Sequence, residues 1–139
     1  MKSITPYLLK FAIVALILTL VFRLFLSHML TAELFTLVWV VALGYGLAMF
    51  ASGWYFGRKD ANFLPLYDIG FRFHLTTYVV YHGVSLLWFI LALKAKQESI
   101  DSLYRSLLLW GFFLAIHFIF YLRTRKDTIK NLSKDDLFE

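Results

Sequence analysis

Four apolar runs occupy most of this chain, and each is long enough to cross a lipid bilayer. They lie near residues 7–29, 34–56, 71–93 and 103–122. A helix needs about 20 apolar residues to span a hydrocarbon core about 30 Å thick. Lipid offers the backbone no hydrogen-bond partners, so such runs fold as helices. The pattern predicts an all-α integral membrane protein with four antiparallel transmembrane helices in one bundle.

The composition agrees with that class. Of the 139 residues, 60% are hydrophobic and 17% are charged, whereas a soluble domain has about half apolar and about a quarter charged residues. The runs and their short connections make one predicted transmembrane domain, residues 1–123. Residues 124–139 make a predicted cytoplasmic tail that is charged and too short to bury a core of its own. The function is therefore expected in the bundle or at its faces.

Basic residues predict the orientation of the helices. One side collects the larger group, namely Lys2, Lys10, Arg58, Lys59, Arg72 and the basic residues of the tail. The other side carries Lys94, Lys96 and Arg105. Cytoplasmic loops hold the excess of Lys and Arg, so we expect both termini inside, in a bacterial cytoplasmic membrane. The net charge of +5 suits anionic lipid headgroups, and no nucleic-acid partner is expected.

The third apolar run carries polar residues along one helical face. With about 100° of rotation per residue, one sector about 140° wide holds His74, Thr77, Tyr78, Tyr81, His82, Ser85 and Trp88. Polar groups inside hydrocarbon need partners. This face is therefore predicted to point toward protein rather than lipid.

Arg23 is a charged residue within the first run. It lies about 10 Å from the end of that run, so its long side chain can reach the interface. Glu33, just beyond the turn, is the candidate counter-ion. A structural ion pair or snorkelling is our first interpretation, and a role in binding or conduction is the alternative.

Short polar connections predict helix caps. Thr31 is a candidate N-cap for the second helix, with Glu33 in its first turn. Ser99 or Asp101 is the candidate cap of the fourth helix.

Depth in the membrane relates the histidines to one another. At 1.5 Å per residue, His74 lies about 6 Å and His117 about 9 Å from the cytoplasmic ends of their runs, and His82 lies near the centre. Two histidines in one layer are candidate axial ligands for haem or part of a metal site. Hydrogen bonding explains the same residues without a cofactor, so we expect no cofactor and no metal ion. The candidate intramembrane polar network comprises Arg23, His74, Tyr78, Tyr81, His82, Ser85 and His117.

Small residues cluster in the second run. Gly44, Ala48 and Ser52 recur at a spacing of four, as do Ala42 with Gly46 and Gly53 with Gly57. Small residues let helix backbones approach closely, and this packing drives association in lipid. The stripe predicts a helix–helix contact, within the chain first and with a partner as the alternative.

Catalytic signatures are missing from the sequence. It has no G-x-S-x-G, H-E-x-x-H or phosphate-binding loop, and Ser85 beside His82 lacks an evident orienting group. The absence of cysteine excludes disulfides and thiolate chemistry. We therefore expect a protein without catalytic residues.

Two hypotheses of function follow from these features. The first is a non-enzymatic helix-packing subunit, homo-oligomeric or an accessory component of a membrane complex, whose partners are lipid and itself or another membrane protein. The alternative is an oligomeric pore or small carrier whose path is lined by His, Tyr and Arg. A bis-histidine haem protein, with His74 and His117 as ligands, or another membrane enzyme ranks last.

Overall fold

The computed structural model describes the backbone of residues 4–62 and 66–130 and the side chains of residues 4–62 and 68–124. Within these ranges the chain forms four α-helices: α1 (Pro6–Thr31), α2 (Phe35–Asp60), α3 (Leu66–Ile90) and α4 (Ile100–Lys130). Each contains a stretch long and apolar enough to cross a membrane. The prediction of an all-helical fold with four candidate spans is confirmed.

Helix ends extend beyond some of the apolar runs. α2 continues past residue 56 to Asp60, and α4 continues past residue 122 to Lys130. Lys and Arg are good helix formers, so a helix need not stop where its apolar run stops. The predicted tail therefore begins within a helix, and residues 131–139 lie outside the described part of the chain.

The start of α1 is tied to the end of α2. Thr5 accepts a hydrogen bond from the Leu8 N–H at 3.1 Å, and Pro6 occupies the first turn, where no donor is needed. The Thr5 hydroxyl also donates to a carboxylate oxygen of Asp60 at 2.6 Å. One side chain thus caps α1 and holds α2 against it.

The turns after α1 and α3 share one backbone motif. Glu33 and Ala92 adopt positive φ angles of 58° and 55°. In each turn the next N–H group bonds to a carbonyl five residues earlier. The bonded pairs are Leu34 with Met29 and Leu93 with Trp88. Both turns are Schellman motifs in which a residue other than glycine occupies the left-handed position.

This geometry corrects one predicted cap and confirms another. Thr31 and Glu33 belong to the end of α1, and α2 starts after Leu34 without a side-chain cap. The predicted Thr31 cap is wrong because the Schellman turn uses these residues to finish the preceding helix. Ser99 accepts a hydrogen bond from the Asp101 N–H at 3.2 Å and caps α4 as predicted.

α3 is the central helix, because α1, α2 and α4 all pack on it, and α1 also packs on α2. An apolar cluster joins the first three helices. Its buried members are Leu8, Phe11, Ala15, Met49, Ile69 and Phe73. The Phe11 and Phe73 rings lie 4.7 Å apart between centroids. This cluster fixes which face of α3 turns inward.

α4 stands apart from α1 and α2. Among the described residues, no Cα atom of α4 lies within 8 Å of a Cα atom of either helix. The most apolar 18-residue window of α4 contains no buried residue. The contacts between α3 and α4, together with their connection, therefore decide how α4 is held.

Candidate functional site

The polar face of α3 turns inward along the second half of the helix. His82 is 3% exposed and Ser85 is 0% exposed, whereas Val79 and Ile90 on other sectors are 58% and 76% exposed. His82 and Ser85 therefore point inward, in agreement with the helical periodicity. His74, in the first half of α3, is exposed. The prediction that the whole polar face points inward is wrong at His74, because open space lies on two sides of its ring.

His74 of α3 and His117 of α4 meet where the two helices pack. Their Nδ1 atoms lie 3.1 Å apart, and the ring planes are almost perpendicular at 88°. One neutral ring donates its Nδ1–H to the lone pair of the other. His117 also packs over Gly70, where an added Cβ would lie 3.6 Å from Nε2. The predicted common layer of these two histidines is confirmed.

Two cavities open beside this histidine pair. One of about 710 Å³ extends between α2 and α3 and is lined by His74, Thr77 and Arg58 among others. The other, of about 450 Å³, lies between α3 and α4 and is lined by both histidines and Trp110. His74 lines both cavities, so its ring can be approached from two sides.

His82 lies two turns further along α3 within an aromatic cage of Tyr78, Tyr81 and Trp110. The His82 ring centroid is 4.5, 5.1 and 5.5 Å from theirs. Its Nδ1 lies 2.9 Å from the Tyr78 carbonyl oxygen, which can only accept, so Nδ1 carries the proton. In the neutral ring Nε2 then has a lone pair. That atom is buried and has no hydrogen-bond partner in the described part of the chain.

Tyr78 joins this aromatic cage to α4. Its hydroxyl donates to the Leu107 carbonyl at 3.2 Å. An added Cβ at Gly111 would lie 3.2 Å from the same hydroxyl oxygen. A glycine at this position lets the phenol lie against the α4 backbone without displacement.

Arg23 is the centre of a charged network between α1, the end of α3 and the α3–α4 connection. Its side chain is almost completely buried, and Nη2 lies 2.5 Å from Glu98 Oε2. The other oxygen of Glu98 accepts from Ser27 at 2.6 Å and from the Ala95 N–H at 3.1 Å. Trp88 donates through Nε1 to the Ser27 hydroxyl at 3.0 Å. The carboxylate thereby joins α1 to the connection between α3 and α4.

The counter-ion predicted for Arg23 is wrong. Glu98 occupies that position instead of Glu33. Ten residues separate Arg23 from Glu33, about 15 Å along a helix, so nearness in sequence does not bring their charges together. Glu98 belongs to the connection between α3 and α4, which folds back over α1.

A third cavity adjoins the ion pair. It measures about 230 Å³ and is lined by Arg23, Glu98, Tyr81 and Ser102 among others. Tyr81 also belongs to the aromatic cage around His82, so it lies between the two polar groups. The buried Nε of Arg23 has no hydrogen-bond partner in the described residues.

Ser85 and His82 do not form a nucleophile–base pair in this geometry. Ser85 Oγ and His82 Nε2 are both buried, and neither has a hydrogen-bond partner among the described residues. A serine nucleophile is activated through such a bond. The described residues also contain no group of three or more His, Asp and Glu side chains placed to hold a metal ion.

The small residues of α2 divide into a packed part and an open part. An added Cβ at Gly53 or Gly57 would lie 3.7 or 3.5 Å from a side chain of α1 or α3. At Gly44 it would meet nothing within 4 Å. Ala48 and Ser52, between these positions, are half-buried. Only part of the stripe therefore faces another helix of this chain.

Sequence reasoning missed Tyr45, Glu98 and Trp110. The Tyr45 hydroxyl lies 3.0 Å from the Thr19 hydroxyl and joins α2 to α1. The sequence did carry a signal for Tyr45, because it is a polar group inside an apolar run, as are the predicted residues of α3. Trp110 gave no such signal, because tryptophan is also common among lipid-facing residues near the interface.

These contacts define an all-α protein with four candidate membrane spans, in which a central helix directs histidine, tyrosine and serine into the interior. Comparison with protein-family models, with curated proteins and with solved structures finds no match. The chain's own geometry is therefore the basis for inferring its function.

Proposed function

We propose that this chain is an integral membrane protein whose four helices cross the membrane antiparallel, with both termini in the cytoplasm. A bacterial cytoplasmic membrane is the proposed location. The length and hydropathy of the four helices support this proposal, as does the excess of Lys and Arg on the proposed inner side.

Labelling of single cysteines tests this orientation. Cysteine introduced at Ala61 should react with an impermeant maleimide only from the cytoplasmic side, and cysteine at Gln97 only from the outside. The native chain contains no cysteine, so it needs no background substitutions. The opposite pattern would reverse the proposed topology.

Within the membrane, we propose that the protein acts as a non-enzymatic helix-packing subunit, in a homo-oligomer or as an accessory component of a larger complex. The observation that carries this proposal is the incomplete packing of α4, whose Cα atoms come within 8 Å of those of α3 alone among the described helices. The open part of the α2 stripe supports it, since an added Cβ at Gly44 or Gly46 meets nothing within 4 Å. Exposed small residues are favourable positions for close approach of another helix.

Two glycine variants separate assembly from folding. Gly44→Leu should leave the monomer folded and shift a native-gel or crosslinked oligomer toward monomer, because its new side chain enters the open face. Gly53→Leu is the matched control that should impair folding, because Phe11 lies 3.7 Å from its added Cβ. A strictly monomeric wild-type protein with no co-purifying partner would contradict the proposal.

A second candidate function is a pore or small carrier, and the alignment of interior polar groups favours it. Tyr81 lines the cavity beside Arg23 and contacts His82. On its other side, His82 contacts the rings of Tyr78 and Trp110. Trp110 also lines the cavity beside His74 and His117. These groups make a discontinuous polar path along α3, with the aromatic cage between the two cavities.

Flux in liposomes tests this second candidate. His82 is the titratable group inside the cage, so His82→Asn should remove the pH dependence of flux while keeping a polar side chain. His28→Asn, at an exposed histidine near the end of α1, is the matched control. A wild-type protein that conducts no proton or common ion across the tested pH range would contradict this function.

Haem ligation by His74 and His117 remains the third hypothesis. Axial histidines stand on opposite faces of a porphyrin, with nitrogens about 4 Å apart for metal–nitrogen bonds of about 2.0 Å. The direct Nδ1 contact of 3.1 Å leaves no room for a porphyrin plane between the rings. The rings would therefore have to separate. A haem absorption band that disappears in both His74→Ala and His117→Ala would support this hypothesis.

A further inference from the structure

His74 and His117 present two nitrogens at the spacing of two ligands on one metal ion. With metal–nitrogen bonds of about 2.0–2.1 Å, tetrahedral ligands lie about 3.3 Å apart and ligands at a right angle about 2.9 Å apart. The observed Nδ1–Nδ1 distance is 3.1 Å. In a linear nitrogen–metal–nitrogen arrangement the two nitrogens would lie about 4 Å apart, so the observed spacing fits a bent arrangement.

We propose that His74 and His117 chelate one divalent transition-metal ion through their Nδ1 atoms, and that Zn²⁺ is the type of ion they fit. Imidazole nitrogen suits Zn²⁺, Cu²⁺ and Ni²⁺. Mg²⁺ and Ca²⁺ prefer oxygen ligands, and the described residues lining the two neighbouring cavities include no Asp or Glu. This site goes beyond the proposed function, because it depends neither on assembly nor on conduction.

Binding replaces the hydrogen bond between the two rings. In the metal-free pair one ring carries its proton on Nδ1 and donates it to the other ring. When both Nδ1 lone pairs bind the ion, that proton moves to Nε2 of its own ring. Both imidazoles remain neutral, and nothing is oxidised or reduced. The packing of His117 over Gly70 orients one of the two rings.

Two histidines leave coordination positions open. A catalytic zinc site has three protein ligands and one position for water or substrate, so an ion held by this pair alone has one open position more. His74 lines cavities of about 710 and 450 Å³, so a water or a small ligand has space to complete the shell. Arg58 also lines the larger cavity. Its positive charge opposes a bound cation and favours an anionic ligand at an open position.

Zinc titration of the purified protein in detergent, without a polyhistidine tag, tests the site. Calorimetry with Zn²⁺ alone should give one ion per chain for the wild type. Affinity should fall at least about 10-fold in His74→Gln and in His117→Gln, because losing a ligand is at least as severe as losing a group that orients one. Glutamine keeps a hydrogen-bonding side chain, so both variants should retain their helical content. His28→Gln, an exposed histidine far from the pair in sequence, should bind Zn²⁺ like the wild type.

Unchanged Zn²⁺ affinity in both glutamine variants would overturn the proposal, as would a wild type that binds no Zn²⁺ at millimolar concentration. Should a glutamine variant fail to fold, Co²⁺ in the wild-type protein decides. Tetrahedral visible absorption with nitrogen ligation supports the site, and the spectrum of hydrated octahedral Co²⁺ contradicts it.

Discussion

The polar groups near the two ends of α3 are bonded to different degrees. Near Arg23, the carboxylate of Glu98 receives bonds from a guanidinium, a hydroxyl and a backbone N–H. Near His74, a single contact with His117 joins two rings that lie beside cavities. A buried charge is tolerated only with partners, whereas a neutral imidazole can keep an unused nitrogen. The charged end is therefore suited to holding the fold, and the histidine end is suited to receiving a ligand.

The largest expected effect is the loss of Glu98. Glu98→Ala leaves the Arg23 charge buried without its partner and should lower the free energy of unfolding by about 3–5 kcal/mol. Unfolding by SDS titration or by heat in detergent measures it. His74→Gln removes one neutral hydrogen bond at the other end and should cost only about 0.5–1.5 kcal/mol.

The double variant Arg23→Met with Glu98→Ala sharpens this comparison. Removing both charges should restore much of the lost stability, since the damage in Glu98→Ala comes from the unpaired guanidinium. Glu33→Ala is the control, because that residue lies in an exposed turn and should change stability by less than about 0.5 kcal/mol. A larger loss in Glu33→Ala than in Glu98→Ala would reverse the assigned ion pair.

The next effect concerns His82, between the two ends. His82→Leu removes the side-chain donor to the Tyr78 carbonyl, which keeps its bond within the helix, and should destabilise the protein by about 0.5–1.5 kcal/mol in thermal unfolding. His82→Asn keeps a donor and an acceptor and should be closer to the wild type. If the His82→Leu and His82→Asn variants are both as stable as the wild type, the hydrogen bond of the ring is not needed for folding.

Much of this fold follows from the sequence because the responsible signals are local. Four apolar runs specify four helices, and the periodicity of His82 and Ser85 against Val79 specifies which side of α3 turns inward. Depth alone places His74 and His117 in one layer. Each inference needs only the helical rise and rotation per residue.

The partners of Arg23 and Tyr45 depend instead on how distant segments pack. Glu33 and Glu98 both follow apolar runs, and only the folding of the α3–α4 connection over α1 selects Glu98. The open face at Gly44 is equally non-local, because spacing alone cannot show whether another helix lies against it. Sequence patterns therefore identify inward residues better than they identify the group each one contacts.

A smaller effect tests the α3–α4 contact next to the histidine end. Gly111→Ala brings a Cβ to 3.2 Å from the Tyr78 hydroxyl oxygen, so the hydroxyl must shift from its bond to Leu107, a loss of about 1 kcal/mol. That loss offsets the gain of about 0.5–1 kcal/mol that alanine brings to a helix, so Gly111→Ala should be close to the wild type in stability. Gly83→Ala is the matched control on α3, because nothing lies within 4 Å of its added Cβ. That change should stabilise the helix by about 0.5–1 kcal/mol in the same unfolding assay. A Gly111→Ala variant that gains as much stability as Gly83→Ala would mean that Tyr78 does not lie against this backbone.

The smallest effect concerns the turn that carries Glu98 toward Arg23. Ala92 has φ of 55°, and a side chain in this left-handed conformation costs about 1–2 kcal/mol, which glycine avoids. Glycine also gives the unfolded chain more freedom, an opposing effect of about 0.4–1 kcal/mol. The net expectation for Ala92→Gly is a gain of about 0.5–1 kcal/mol in SDS unfolding. Ala32→Gly in the turn after α1 is the matched control, since its φ of −85° gives alanine no such strain, and there the same change should destabilise. If both variants lose stability, the turn does not hold Ala92 in the left-handed conformation, and Glu98 reaches Arg23 from a different backbone path.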